Sequence, residues 1–275
     1  MINEKKRVIL QNTDDPFLNM SIDRYIATLD YDIVVRMYYW SKPTLTIGYF
    51  QKADLFNRDL LEKTNTLFIR RITGGSSILH YNDLSFSIII KKGCEGISGP
   101  KSLYTEVTNG VYRVLSGMID DLVLSNNTEN YRSVVSCAKA STTHEISKID
   151  GSKITGAAVR VIGDKIILQS TIFNNNYNHT LVERFLKMPV TSFDTANTKT
   201  DINRIDEISN DKQVVNETDY NKDYGFDLLN LEMRLKDEFM RMFKIPCNLV
   251  LSVDALNVPI DIIESVSSNE WTNLR

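Results

Sequence analysis

The first apolar run, Val8 to Leu10, is short and reads as a strand that ends at the breaker Asp14-Asp15-Pro16. Beyond it, apolar residues fall at Met20, Ile22, Tyr25, Ile26 and Leu29, which predicts an amphipathic helix over Asn19–Leu29 with Asp and Asn in front as caps. Ile33–Trp40 is β-branched and aromatic with Arg36 inside it, and predicts a strand ended by Pro43. Thr44–Tyr49 predicts another that closes on Gly48, Asp54–Lys63 a short helix, and Leu67–Ile72 a further strand. Ser76–His80 and Leu84–Ile90 flank the polar bend Tyr81-Asn82-Asp83. Phe86, Ile88 and Ile90 alternate there with Ser85 and Ser87, so a hairpin is expected.

A long helix is predicted over Lys101–Met118 from the spacing of Leu103, Val107, Val111, Val114, Leu115 and Met118, with Gly99-Pro100 at its start. Glu145–Phe173 returns to strand pattern and turns at Asp150-Gly151 and Gly163-Asp164, which predicts a meander. Residues 180–245 read as mostly helical, interrupted by polar stretches near 194–201 and 209–223, with Leu228–Phe243 the clearest helix. Pro246 stops it, and a strand (Asn248–Val253) and a short helix (Pro259–Ser265) follow. No internal repeat is present. The expected class is α+β, with antiparallel strands first and helices mostly later.

Composition narrows this picture. The 275 residues carry 32 Lys+Arg against 35 Asp+Glu, a formal net charge of −3, which argues against a dedicated nucleic-acid binder. The ordinary proportion of apolar residues, 42%, argues against disorder. No apolar run is long enough to predict a membrane span, and the start, MINEKKRVILQNTDD, does not read as a signal peptide. Three cysteines leave at least one thiol unpaired, which suits a reducing compartment, so a cytoplasmic protein is expected.

Neither a GxxxxGK[ST] nor a GxGxxG sequence occurs, and His80, His144 and His179 lie apart with no Cys at zinc spacing, so no metal is expected. Four features remain. Arg70-Arg71-Ile72-Thr73-Gly74-Gly75-Ser76-Ser77 places two glycines at a strand end, where backbone can approach a ligand; a plain turn flanked by two solvated arginines is the alternative. Lys153 follows a Gly turn and would ordinarily be a solvated edge charge. Cys137 lies in the polar, basic segment Ser136-Cys137-Ala138-Lys139, where a thiol pKa can fall, although most free cysteines are inert. Asn19-Met20-Ser21-Ile22-Asp23 sits at a helix start, where simple capping would explain it.

Taken in order, these segments resemble the lipoate/octanoate attachment superfamily, which also includes biotin–protein ligases. The resemblance is carried by Asp15–Asp23, Pro43–Lys52, Arg70–Ser87 and Gly151–Phe173, spread over about 160 residues. Within it, Gly48-Tyr49-Phe50-Gln51-Lys52, His80-Tyr81-Asn82-Asp83-Leu84-Ser85-Phe86-Ser87, the ending Ser267–Trp271 and the position of Cys137 are most similar to the cysteine-dependent octanoyltransferases that load the glycine-cleavage H protein.

The resemblance implies an α+β, biotin/lipoate protein ligase-like catalytic domain with antiparallel and mixed sheets packed by helices. It would occupy residues 1–245, with a short C-terminal appendage over 246–275. It implies an acyltransferase that moves an octanoyl group from acyl carrier protein through a Cys137 thioester to a lysine of a lipoyl-domain protein. Lys153 would be its catalytic partner. Arg71, Thr73, Gly74, Gly75, Ser76, Ser77, His80, Gly156 and Ala157 would form the acyl site, with Ile78 touching the chain. No cofactor, nucleic acid or membrane is implied, and a monomer is expected. Lys52, Arg70, Arg71 and Lys139 are candidate contacts to acidic carrier and lipoyl domains. Ser76, Ser77, Tyr81, Ala157, Ala158 and Gln169-Ser170-Thr171 depart from the family pattern around the pocket mouth and leave Cys137 and Lys153 in place. Two other readings of the same motifs are an ATP-dependent lipoate–protein ligase and a diverged, non-catalytic binder of lipoyl domains.

Overall fold

The computed structural model describes residues 5–10, 14–125, 145–174, 179–187, 227–252 and 256–273. Cys137, Lys139 and His144 lie outside them. The chain runs β1 (Lys6–Leu10), α1 (Pro16–Ile26), β2 (Ile33–Tyr38), β3 (Thr44–Ile47), α2 (Arg58–Lys63), β4 (Leu67–Arg70), β5 (Ile78–His80) and β6 (Leu84–Lys91). It continues with α3 (Pro100–Leu115), β7 (Leu122–Ser125), β8 (Glu145–Lys148), β9 (Thr155–Ile162), β10 (Lys165–Ile172) and α4 (His179–Arg184). The last elements are α5 (Leu228–Met242), β11 (Val250–Ser252), α6 (Ile260–Ser267) and α7 (Asn269–Thr272).

The main sheet has six strands in the order β11-β1-β2-β6-β10-β9, parallel at the β11-β1-β2 end and antiparallel from β2 to β9. The α+β class with mixed sheets is therefore observed. Alternation along the strands sends successive side chains to opposite faces. Ile33, Val35 and Met37 of β2, with Phe86 and Ile88 of β6 and Leu168 of β10, face α3 and α5 and join Leu103, Val107, Val111, Leu231, Leu235 and Phe239 in the largest core cluster. Val34, Ile89 and Ile167 join Ile22 and Ile26 of α1 in a separate core cluster. Both faces are covered, which is why all eight residues of β10 are buried.

Two sequence expectations are corrected. The Ser76–His80 and Leu84–Ile90 arms are not a hairpin. β5 pairs antiparallel with β3 in a second sheet of order β4-β3-β5, whereas β6 is a central strand of the main sheet. The bend 81–83, with Asn82 at φ 53°, carries the chain from one sheet to the other. The meander is also incomplete. β9 and β10 pair across Gly163, but β8 pairs with β7 in a separate sheet and joins the segment just before β9 through the isolated bridge Ser147↔Lys153. The C-terminal residues pack into the rest of the fold: β11 extends the main sheet, α6 lies on α1 and α7 lies on β4.

Candidate active site

The register of the main sheet builds the floor of the site. On the face toward α1, the cross-strand row Val34, Ile89, Ile167 is apolar and lies under Ile22 and Ile26. The next row toward the end of β2 is Arg36, Ser87, Gln169 and Ala158, and the one after is Tyr38, Ser85, Thr171 and Gly156. One end of this face is thus polar, and α1 presents matching polar residues to it. Asp23 is wholly buried and accepts from Arg36 at 2.5 Å and Ser87 at 2.7 Å through Oδ1, and from Gln169 Nε2 at 2.7 Å through Oδ2. Asn19 Oδ1 accepts from Arg36 Nη2 at 2.6 Å, and Gln169 Oε1 accepts from Thr73 Oγ1 at 2.6 Å. Hence Asn19 and Asp23 do not cap α1; that role belongs to Asp15, whose carboxylate accepts from Leu18 N. They neutralise and orient a buried row of the sheet, as a charge without water requires.

Above this floor lies a narrow cleft, partly open to solvent, with about 20 Å3 of free space inside it. Tyr38, Gln169, Ser170, Thr171, Gly156, Ala157 and Ala158 line it from the main sheet, Met20 from α1, and Trp40 just beyond β2. Thr46, Arg71, Ile78 and His80 line it from the side of the smaller sheet. Mostly apolar walls with a few polar groups are the usual makeup of small-molecule sites. Burial holds the Tyr38 phenol well above its ordinary pKa, so it stays a neutral hydroxyl. His80 stacks on Trp40 with ring centroids 3.9 Å apart. Its Nδ1 is 3.1 Å from Asp83 Oδ2 and its Nε2 3.0 Å from Thr46 Oγ1, which fixes the ring in the wall. Asp83 Oδ1 is buried without a hydrogen-bond partner among the described residues.

Of the expected acyl-site residues, the structure brings Arg71, His80, Gly156 and Ala157 to this one cleft. Thr73, Gly74, Gly75, Ser76 and Ser77 form the turn behind Arg71. The guanidinium of Arg71 donates to Gly74 O at 2.7 Å and Ser76 O at 2.6 Å, so it shapes this turn. Gly75 sits at φ 80°, a conformation that favours glycine. Gly48 packs directly on the turn: a Cβ there would lie 2.0 Å from Gly75 O. Gly48→Ala is therefore expected to cost about 1–3 kcal/mol, the range for forcing atoms into a packed interior, read as a lower urea midpoint. An unchanged midpoint would mean that the two turns are free to separate.

Arg70 and Arg71 were expected as solvated contacts to acidic partners, and this is corrected: they are 0% and 4% exposed and spend their donors on backbone carbonyls. Lys52 is exposed. Lys153 is buried just before β9, bridged to Ser147 of β8, with its Nζ 2.7 Å from the Glu145 carboxylate, itself buried. Sequence reasoning missed Glu145, as well as Tyr38, Trp40 and Met20. An acidic residue eight positions before Lys153, on the far arm of a Gly turn, was the available signal for Glu145.

The family model for the lipoyl protein ligase A/B catalytic domain matches residues 15–219, and the chain belongs to this family. It is 33% identical over 176 residues to an octanoyltransferase LipM of Halalkalibacterium halodurans, a match that covers 56% of this chain and 60% of that protein. It is 31% identical over 179 residues to an octanoyltransferase LipM of Bacillus cereus, covering 58% and 61%. The chain therefore spans about three fifths of the length of these two curated relatives, and 42% of an Oceanobacillus iheyensis LipM to which it is 34% identical. Among solved structures, a lipoate-protein ligase A bound with ATP shares the fold at a TM-score of 0.68 and 18% identity, covering 98% of this chain and 99% of that one. A putative lipoate protein ligase from Thermoplasma acidophilum with bound lipoic acid shares it at a TM-score of 0.63, with the same identity and coverage.

Proposed function

We propose that this protein is an octanoyltransferase of lipoate biosynthesis, taking octanoyl from acyl carrier protein and delivering it to a lysine of a lipoyl-domain protein of the glycine-cleavage H type. The observation that carries the reading is a narrow cleft walled by Met20, Trp40, Ile78 and Ala157, with the Arg71-braced turn beside it. An extended hydrocarbon chain suits such walls, at roughly 0.8 kcal/mol per methylene buried. The identity of 30–34% to proteins named octanoyltransferase LipM supports the reading further. In this proposal the Cys137 thiolate attacks the donor thioester carbonyl. A new C–S bond forms, the bond to the carrier's sulfur breaks, and that sulfur leaves as a thiolate that takes a proton. The acceptor amine then attacks the enzyme thioester, an amide forms, the amine loses a proton and Cys137 leaves as thiolate. Thioester exchange requires no ATP. Lys153, held by Glu145, supplies positive charge for the thiolate and the oxyanion. The proposed setting is a cytoplasmic monomer; among the described residues no helix is long and apolar enough to cross a membrane.

The test is transfer of octanoyl from acyl carrier protein to a lipoyl domain without ATP, read by the mass of the acceptor. Lys153→Gln is expected to lower the rate by about 10²–10³-fold, the scale for losing one group that stabilises an oxyanion, and to lower the thermal melt as well, because the buried Glu145 carboxylate loses its counter-charge. Loading of free lipoate that depends on ATP and survives Cys137→Ala would instead make the protein a ligase.

A further inference from the structure

The side chain of Arg70, at the end of β4, is wholly buried and links two segments far apart in the chain. Its Nη1 donates to Gly48 O, Tyr49 O and Gln51 O at 3.0, 2.8 and 2.7 Å. Its Nε and Nη2 donate to Thr272 O, in α7, at 3.2 and 2.9 Å. The link is reciprocal: Trp271 Nε1 donates to Arg70 O at 2.8 Å. The Trp271 ring lies 4.5 Å from the Arg24 guanidinium and 6.0 Å from the Tyr49 ring. Ser268 Oγ caps this short helix by accepting from Trp271 N.

On its other side the Gly48–Gln51 turn meets the Thr73–Gly75 turn. Tyr49 N donates to Thr73 O at 2.8 Å, and Gly48 is in van der Waals contact with the Gly74-Gly75 backbone. Arg160 lies over the Tyr49 ring at 3.4 Å and donates to Ile72 O at 2.9 Å, which closes the stack against β9. A run of contacts therefore leads from α7 through Arg70 to the turn that Arg71 shapes at the cleft. We infer that α7 is a latch, with Trp271 and Arg70 as positioning residues that hold the Gly48–Gln51 and Thr73–Gly75 turns in register with the cleft. Its bearing on catalysis rests on the acyl-site reading above; its bearing on the turns does not. A guanidinium is suited to the task because its planar donors can satisfy several carbonyls at once, which an ammonium cannot do in one plane.

The experiment is amide hydrogen exchange on the full chain, comparing wild type with Trp271→Ala and with Trp271→Phe, which keeps the packing and loses the indole donor. Exchange at the Tyr49 amide is expected to rise about tenfold in Trp271→Ala and less in Trp271→Phe, with β6 and β10 amides unchanged. In the transfer assay Trp271→Ala is expected to lower kcat/KM by a similar factor. No change at Tyr49, or a rise spread equally over β6 and β10, overturns the latch. Because exchange needs no substrate, a wild-type chain without transferase activity whose Tyr49 amide is still released by Trp271→Ala would refute the proposed function and leave the latch standing.

Discussion

Arg36→Met is expected to lose about 3–5 kcal/mol of stability, the scale for removing one partner of a buried ion pair. The pair is wholly buried, and Asp23 receives three donors in all, from Arg36, Ser87 and Gln169. Without Arg36 the carboxylate keeps two neutral donors and loses its counter-charge. Methionine fills most of the volume, so the deficit reports electrostatics more than a cavity. The double variant Asp23→Leu/Arg36→Met is expected to recover a substantial part of that loss, since an apolar pair of similar volume does not carry the desolvation cost. It is also expected to leave transfer impaired, because Gln169 then lacks the oxygen that orients its amide toward Thr73. Urea midpoints for the single and double variants check the first statement. A single variant as stable as wild type would show that the network adds nothing to the fold.

Much of the fold was legible because burial imposes a period. The β-branched and aromatic run Ile33–Trp40 marked β2, the alternation in Leu84–Ile90 marked β6, and the i, i+4, i+8 spacing of Leu103, Val107 and Val111 marked α3. What the pattern reports is a period and a face, not a partner. Ser76–His80 and Leu84–Ile90 have the composition of hairpin arms, yet β5 and β6 belong to different sheets, since a three-residue bend can close a hairpin or cross between sheets. Asn19 and Asp23 look like caps for a similar reason: a small polar residue near a helix start has the same local appearance whether it meets backbone or a buried arginine from β2.

The candidate site divides in the same way. Arg71, His80, Gly156 and Ala157 line one cleft, whereas Thr73–Ser77 do not. Tyr38 and Trp40 were legible only as the end of a strand, because nothing in a strand's own sequence says that its last residues overlook a cavity. Solvated side chains at Arg70 and Arg71 are the alternative the sequence offers, because most arginines are exposed. Here backbone carbonyls take up their donors: those of the adjacent Gly74–Ser76 turn for Arg71, and those of the Gly48–Gln51 turn and of Thr272, 202 residues away, for Arg70.

The thiols divide sharply in environment. Cys94 is half-buried and burial pushes its thiol pKa up, which disfavours the thiolate, and neither it nor the exposed Cys247 lines the cleft. Replacing both by serine is expected to leave acyl transfer intact, whereas Cys137→Ala is expected to lower it by at least about 10³-fold, the scale for losing a covalent nucleophile. The most direct measurement is the intact mass of the protein after incubation with octanoyl–acyl carrier protein in the absence of ATP. The account predicts one added octanoyl group in wild type and in Cys94→Ser/Cys247→Ser, labile to hydroxylamine as a thioester is, and none in Cys137→Ala. No adduct in wild type, or an adduct that persists in Cys137→Ala, would contradict it.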